Sequence, residues 1–343
     1  MSSPQPRTYN PAFAPALAKA STGKQKLKTI FIGTSDFAVP ILESLITNGY
    51  PLLAIITAPD KPIGRKQILT PPPVKISALK YGIPVLQPEI LTNFKSEILN
   101  SKPDLIVVAA YGRILPKEIL EIPKYGSLNI HPSLLPKYRG PSPIQYAILN
   151  GETETGVSII LMNEKIDAGS ILGRLNLRGR FNLQKLNHKE LEKVLSELGA
   201  KLLIETVPKW MNGKIKPRPQ DDSRATYTKI FTRDDGKIEW KKPAKDIERQ
   251  IRALNPEPGA YTQLTTNDKQ PAIKTLKIIK ADVLPIKIKR QPGEVFLTED
   301  KKLAISCGED ALILEEIQPE GKRKMTGQDF LRGHQDFLGS TLI

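Results

Sequence analysis

Asn129 and His131 lie two residues apart in the run Ser-Leu-Asn-Ile-His, and on an extended segment that spacing turns both side chains to the same side. An amide NH₂ and an imidazole held side by side can donate hydrogen bonds to an oxygen on which negative charge develops, as in an oxyanion hole. His131 is one of three histidines in the chain. From the residues alone, a buried polar pair satisfied by backbone is the competing reading. The third candidate is Asp167 in Asp167-Ala168-Gly169, which follows Met162-Asn163. A carboxylate between two strands can reach a neighbouring loop at the sheet edge, where it can orient His131 or accept a proton. Asp-x-Gly is equally ordinary turn chemistry, so the tripeptide does not decide the matter.

Two further segments could contact ligands. Gly33-Thr34-Ser35-Asp36-Phe37 follows the first apolar run but lacks the second and third glycines of a dinucleotide fingerprint, so no dinucleotide cofactor is expected. Residues 58–72 are longer than a usual strand-to-helix connection, and they carry Lys61, Arg65 and Lys66 among prolines and Gly64. Such a loop is either a solvated basic connection or a phosphate contact.

These residues need a scaffold, and the hydrophobic pattern supplies one. Leu27–Gly33 reads as a buried strand, followed by a helix with Asp36 as its N-cap. Strands are expected at Leu52–Thr57, Asp104–Ala109, Ser127–Ile130, Thr155–Met162 and Ser170–Leu177, with helices at Phe94–Leu99, Ser142–Leu149 and 187–206. Alternating strands and helices imply a Rossmann-like α/β fold, a mostly parallel sheet with helices on both faces. Ligands then bind beyond the carboxyl ends of the strands. Breaker residues over 208–230 read as a linker. The short strands from 231 onward, with one helix at Asp246–Leu254, read as a small OB-like β-barrel.

At 343 residues the chain is long enough for two domains. The net charge of +15 favours an anionic partner. The excess is even: +5 on residues 1–28, +5 on 29–209 and +5 on 210–343, so a nucleic-acid surface is expected to involve both domains. The single cysteine, Cys307, excludes a disulfide framework and a cysteine-rich zinc site, and fits a reducing compartment. No run approaches the roughly 20 apolar residues of a membrane span. Residues 1–27 are basic, without acidic side chains or an apolar core, and read as a disordered extension in preference to an organelle import signal.

The segments GTSDFA at 33–38, TAPDKPIGR at 57–65, AYGRILP at 110–116, NIHPSLLPKYRGPSPIQYAILNGETETGVSI at 129–159, MNEKIDAGSIL at 162–172 and RALNPEPGAYT at 252–262 resemble the methionyl-tRNA formyltransferase family. The resemblance runs from about 28 to 335, with Ser35 where the family pattern often has Pro. It implies a catalytic domain at 28–207, a linker at 208–230 and a tRNA-binding domain at 231–343. It assigns catalysis to Asn129, His131 and Asp167, folate contact to Ser133, Leu134, Leu135 and Pro136, and tRNA contact to Arg65, Lys61 and Lys66. The implied reaction moves the formyl group of 10-formyltetrahydrofolate to the α-amino group of initiator methionyl-tRNA, without a metal. The expected protein is a cytoplasmic bacterial monomer with no membrane association. The alternatives are a formyltransferase acting on a small amine, such as a nucleotide sugar or glycinamide ribonucleotide, and a non-catalytic RNA-binding protein of the same fold. A second domain of over a hundred residues, together with the basic loop, speaks against the first, and an intact Asn, His and Asp set against the second.

Overall fold

The β-branched run Thr29–Gly33 forms the first strand, β1, and is buried along its whole length, as a strand covered on both faces must be. A computed structural model of the protein describes residues 27–342 apart from 65, 180, 181, 265–273 and 289. The expected basic extension, Leu27 excepted, and Arg65 therefore lie outside the described residues. The chain divides into two compact units. The first holds the chain up to Gly140 with Thr155–Leu177 and Glu192–Tyr227; the second holds Pro141–Glu154, Arg178–Leu191 and Thr228–Ile343.

After β1 come α1 (Ala38–Thr47), β2 (Leu52–Ile56), β3 (Lys61–Ile63), β4 (Ile68–Thr70), α2 (Pro73–Lys80), β5 (Val85–Leu86), α3 (Lys95–Ser101), β6 (Leu105–Ala109), α4 (Lys117–Leu120) and β7 (Ser127–His131). Then follow α5 (Pro143–Leu149), β8 (Gly156–Leu161), β9 (Ser170–Asn176) and α6 (His188–Met211). Seven strands form one sheet in the order β5-β2-β1-β6-β7-β8-β9. Pairing is parallel from β5 to β7 and antiparallel from β7 to β9. Ile30, Ile32, Ile106 and Val108 present one side of the central strands to Ile98 of α3 and Ile119 of α4. On the other side Gly199 of α6 approaches Ile130, Val157 and Ile41 of α1. Strand side chains alternate between faces, so Ile130 turns to α6 while Asn129 and His131 turn the other way.

Two local expectations are corrected. Asp36 does not cap α1: the helix follows Phe37 with no side-chain cap. Its first amides are satisfied by backbone, Ala38 N–H donating to the Ser35 carbonyl and Val39 N–H to that of Asp36. Pro40 brings no N–H, so the first turn leaves little for the Asp36 carboxylate to accept. The segment 58–72 is not a plain loop, because β3 and β4 pair as an antiparallel hairpin, Ile63 opposite Ile68. Its root is fixed by Asp60, which accepts from Lys75 Nζ at 2.8 Å and from Gln87 Nε2 at 2.7 Å.

The second unit carries α7 (Ala244–Leu254), β10 (Ala260–Leu264), β11 (Lys274–Leu284), β12 (Val295–Leu297), β13 (Leu303–Ser306), β14 (Ala311–Pro319), β15 (Met325–Thr326) and α8 (Gly327–Arg332). Its antiparallel sheet runs β10-β11-β14-β13-β12, with β15 beside β14, a curled half-barrel of the OB-like kind expected. Ile247 and Ile251 of α7 enter its core with Ile278, Ile305, Leu312 and Ile317. These apolar positions recur on one face of a helix that is polar elsewhere, which is why α7 docks there.

Candidate active site

The register of the sheet decides where the polar residues of β7 go. Asn129 stands opposite Ile160 and His131 opposite Ser158, at the end of β7 from which the 132–140 loop departs. Asp167 comes from the loop between β8 and β9. The loop is tight: a Cβ on Gly169 would lie 2.0 Å from the Leu161 carbonyl oxygen, so the third residue of Asp-Ala-Gly has to be glycine. Asp167 itself takes a left-handed backbone, φ 48°, which turns its carboxylate back over β7.

There it meets both predicted partners. Asn129 Nδ2 donates to Asp167 Oδ1 at 3.1 Å, and His131 Nδ1 lies 3.5 Å from Oδ2. The Gly140 amide donates to the same Oδ2 at 2.8 Å. Gly140 has φ 106°, a conformation that side chains oppose. His131 Nε2 is 2.9 Å from the Tyr138 carbonyl oxygen. A carbonyl only accepts, so Nε2 carries the hydrogen and Nδ1 is the ring nitrogen turned to the carboxylate. The structure thus brings the three expected residues together with one difference. Both ring nitrogens of His131 face protein groups, whereas Asn129 spends one of its two amide hydrogens on Asp167 and has a second for another acceptor.

The expected folate segment divides in two. Ser133 and Leu135 are buried: Ser133 Oγ donates to the Lys137 carbonyl at 2.7 Å, and the Leu135 amide donates to Ser158 Oγ at 3.1 Å. The Ser133 hydroxyl, the Leu135 amide and the packing of Leu135 against Ile160 and Ile171 hold the loop. Leu134 and Pro136 are half-buried and are the members with surface to offer. Lys61 on β3 and Lys66 in the turn of the hairpin are exposed, with Ile63, Ile68 and Leu69 exposed beside them.

Sequence reasoning missed Tyr138, Gly140 and above all the segment that follows α6. Arg218 exchanges backbone hydrogen bonds with Ile171 at 2.8 and 3.0 Å, and Gln220 and Thr226 reach the 136–140 loop and the Asp167 loop. Arg139 is 2 % exposed and donates to Gln220 and Asp222. Burial works against its charge, but hydrogen bonds to Asp222 and Tyr227 outweigh that and raise its pKa. No quoted motif covers the segment after α6, and Tyr138, Arg139 and Gly140 lie in the 129–159 run without a role assigned to them. The one signal in the sequence was a polar Gln among breakers, and that pattern reads as a connection.

In the second unit, a cleft of about 1160 Å³ runs beside α7 and β11. Lys245, Arg249, Lys277 and Lys324 line it, interleaved with Glu248, Asp282 and Glu316. Among the described residues no group of three or more His, Cys, Asp or Glu could hold a metal ion, and no helix is long and apolar enough to cross a membrane.

A polar trio at the carboxyl end of a mixed sheet, followed by a half-barrel unit, defines a class to which the comparisons give a name. The formyl transferase family model matches residues 26–207, and the model of the formyl transferase C-terminal domain matches residues 230–335. The methionyl-tRNA formyltransferase of Bacillus velezensis is 45 % identical over 92 % of this chain and 97 % of its own. That of a Geobacillus species is 46 % identical over 90 % and 94 %. The chain belongs to the formyl transferase family, among the methionyl-tRNA formyltransferases. Solved structures share the fold at lower identity. HypX from Aquifex aeolicus, in complex with tetrahydrofolic acid, superposes with TM-score 0.62 at 18 % identity, over 92 % of this chain and 48 % of that one. An N-formyltransferase from Helicobacter canadensis, in complex with folinic acid and dTDP-3-aminofucose, gives 0.60 at 22 % identity, over 84 % and 99 %.

Proposed function

We infer that the protein transfers a formyl group from 10-formyltetrahydrofolate to the α-amino group of initiator methionyl-tRNA, in the bacterial cytoplasm. The observation that carries this reading is identity of 45 % over nearly the full length of a relative of that name, joined to a trio whose geometry suits acyl transfer. The folate donor supplies an activated formyl carbon and a nitrogen leaving group. Asn129 offers its second amide hydrogen to the formyl oxygen as negative charge builds there, a contact worth most in a site closed to water. His131 and Asp167 hold between Nδ1 and Oδ2 the proton shed by the attacking amine, and return one to the departing nitrogen. Gly140 N–H keeps Oδ2 in place throughout. Leu134 and Pro136 give the donor an apolar edge.

The exposed lysines of the β3–β4 hairpin, and the basic side chains along the cleft of the second unit, are the groups suited to the phosphates of the tRNA. Residues 231–343 are then the tRNA-binding domain and residues 28–207 the catalytic one. The test mixes purified protein with 10-formyltetrahydrofolate and charged initiator tRNA, with free methionine and a dTDP-amino sugar as control acceptors. Formyl transfer to the tRNA is expected. Transfer to the sugar in place of the tRNA would overturn the acceptor, and transfer to neither would overturn the activity.

A further inference from the structure

Gln220 lies on a segment that is mostly exposed from Lys214 to Pro219, yet it is turned inward. Its side-chain amide makes four hydrogen bonds. Oε1 accepts from Arg139 Nε at 3.1 Å and from Nη2 at 2.9 Å, while Nε2 donates to the Asp167 carbonyl at 2.7 Å and to the Gly169 carbonyl at 2.8 Å. An amide has two donor hydrogens and two acceptor lone pairs, so all are used. Those contacts clasp the Asp-Ala-Gly turn by its first and third carbonyls, the first being that of Asp167, whose backbone is left-handed.

The other end of the clasp is equally specific. Arg139 is 2 % exposed, its own amide donates to the Thr226 carbonyl at 2.8 Å, and the next residue, Gly140, donates to the carboxylate of Asp167 at 2.8 Å. Gln220 thus ties together the two peptide segments whose relative placement sets the Asp167 carboxylate against Asn129 and His131. Glutamate at 220 could keep the Arg139 contact but has no hydrogen for the carbonyls, and asparagine is one methylene short of spanning both.

We propose that Gln220, with Arg139 as its anchor, is the positioning residue that fixes Asp167 for the reaction, an inference that rests on the reading of Asp167 given above. Gln220 touches no reacting atom. It acts by removing freedom from the carboxylate, and a misplacement of 1 Å at such a group costs about 100-fold in rate.

The experiment is a double-mutant cycle on the full chain. Gln220→Met is expected to lower kcat by about 10- to 100-fold while the KM values for 10-formyltetrahydrofolate and charged tRNA stay within about threefold. A purely structural role could also lower kcat, by shrinking the folded fraction, but it would do so in any background. In an Asp167→Asn background, Gln220→Met is therefore expected to cost less than about threefold more, because the group it positions has already been disabled. If Gln220→Met melts below the assay temperature, Gln220→Glu makes the same test, since it keeps the size and the acceptors facing Arg139 and removes the donors to the two carbonyls. Near-normal kcat in the variant that folds overturns the proposal, as does a full multiplicative loss on top of Asp167→Asn. Near-normal kcat in Asp167→Asn itself is the separate result that removes the catalytic reading of Asp167, and the positioning role with it.

Discussion

At the scale of the residue, the two donors of the site differ in what they can give. Asn129 pairs with Asp167 through one hydrogen and has another for a developing oxyanion, so Asn129→Ala should lower kcat by roughly 10²–10³-fold in steady-state assays with little change in melting temperature. Loss of less than about threefold would sink the oxyanion assignment. His131 is buried and donates to the Tyr138 carbonyl. His131→Ala should therefore cost activity on a similar scale and also about 1–3 kcal/mol of stability in urea titrations, because a buried hydrogen bond is lost. Cys307 makes a contrast: burial first, and Asp310 second, push its thiol up to about 12. It should resist a thiol-specific reagent at pH 8 until denaturant opens the chain, and rapid labelling of the native protein would contradict its burial. The two-residue alternation of β7 and the Asp-Ala-Gly turn made Asn129, His131 and Asp167 candidates, and the family resemblance singled them out as a set. Gln220 was not, since 53 residues of chain without a shared period separate it from Asp167 and its role exists only in the folded backbone.

Among the elements, α6 shows how a helix start can carry a pH response. Asn187 and Glu190 form a reciprocal capping box, the Glu190 amide donating to Asn187 Oδ1 at 3.0 Å and the Asn187 amide to Glu190 Oε2 at 2.9 Å. His188 follows the cap, and burial first, then the charge of Lys189, lower its pKa from 6.5 to about 4. Its place at the positive end of the helix dipole acts in the same direction. Between those two pH values the unfolded chain binds a proton that the folded chain refuses, so this stabilisation is complete above pH 6.5 and is lost as the pH falls toward 4, by on the order of 2–3 kcal/mol. Urea midpoints measured from pH 7 to 4.5 should fall less steeply in His188→Gln than in the parent, and parallel curves would refute the assignment. Most strands were legible from their apolar runs. The β3–β4 hairpin was not, because its strands are three residues each and, with Ile63, Ile68 and Leu69 exposed, they show no buried alternation to read.

For the whole molecule, the division into units shows what a linear reading misses. α5 and the residues around the start of α6 belong to the second unit, where α5 packs on α7, but the buried Ile144, Ala147 and Ile148 of α5 look like the inner face of any helix in the first. Composition, by contrast, is a property of the full chain. The charge of +15 is carried by both halves of the sequence, and it argues for an acceptor whose binding is driven by release of counterions. Log(kcat/KM) for charged tRNA should then fall linearly with log salt, losing about one unit of slope for each phosphate contact removed. Lys61 and Lys66 are exposed, so Lys61→Ala and Lys66→Ala should leave the core intact and each flatten the slope by up to about one unit. Under the same conditions KM for 10-formyltetrahydrofolate should change little, because that ligand carries few charges and its proposed contacts, Leu134 and Pro136, lie outside the hairpin. A slope for the double variant equal to that of the parent would show that the hairpin lysines are solvated charges, and would move the phosphate contacts to the basic side chains of the second unit.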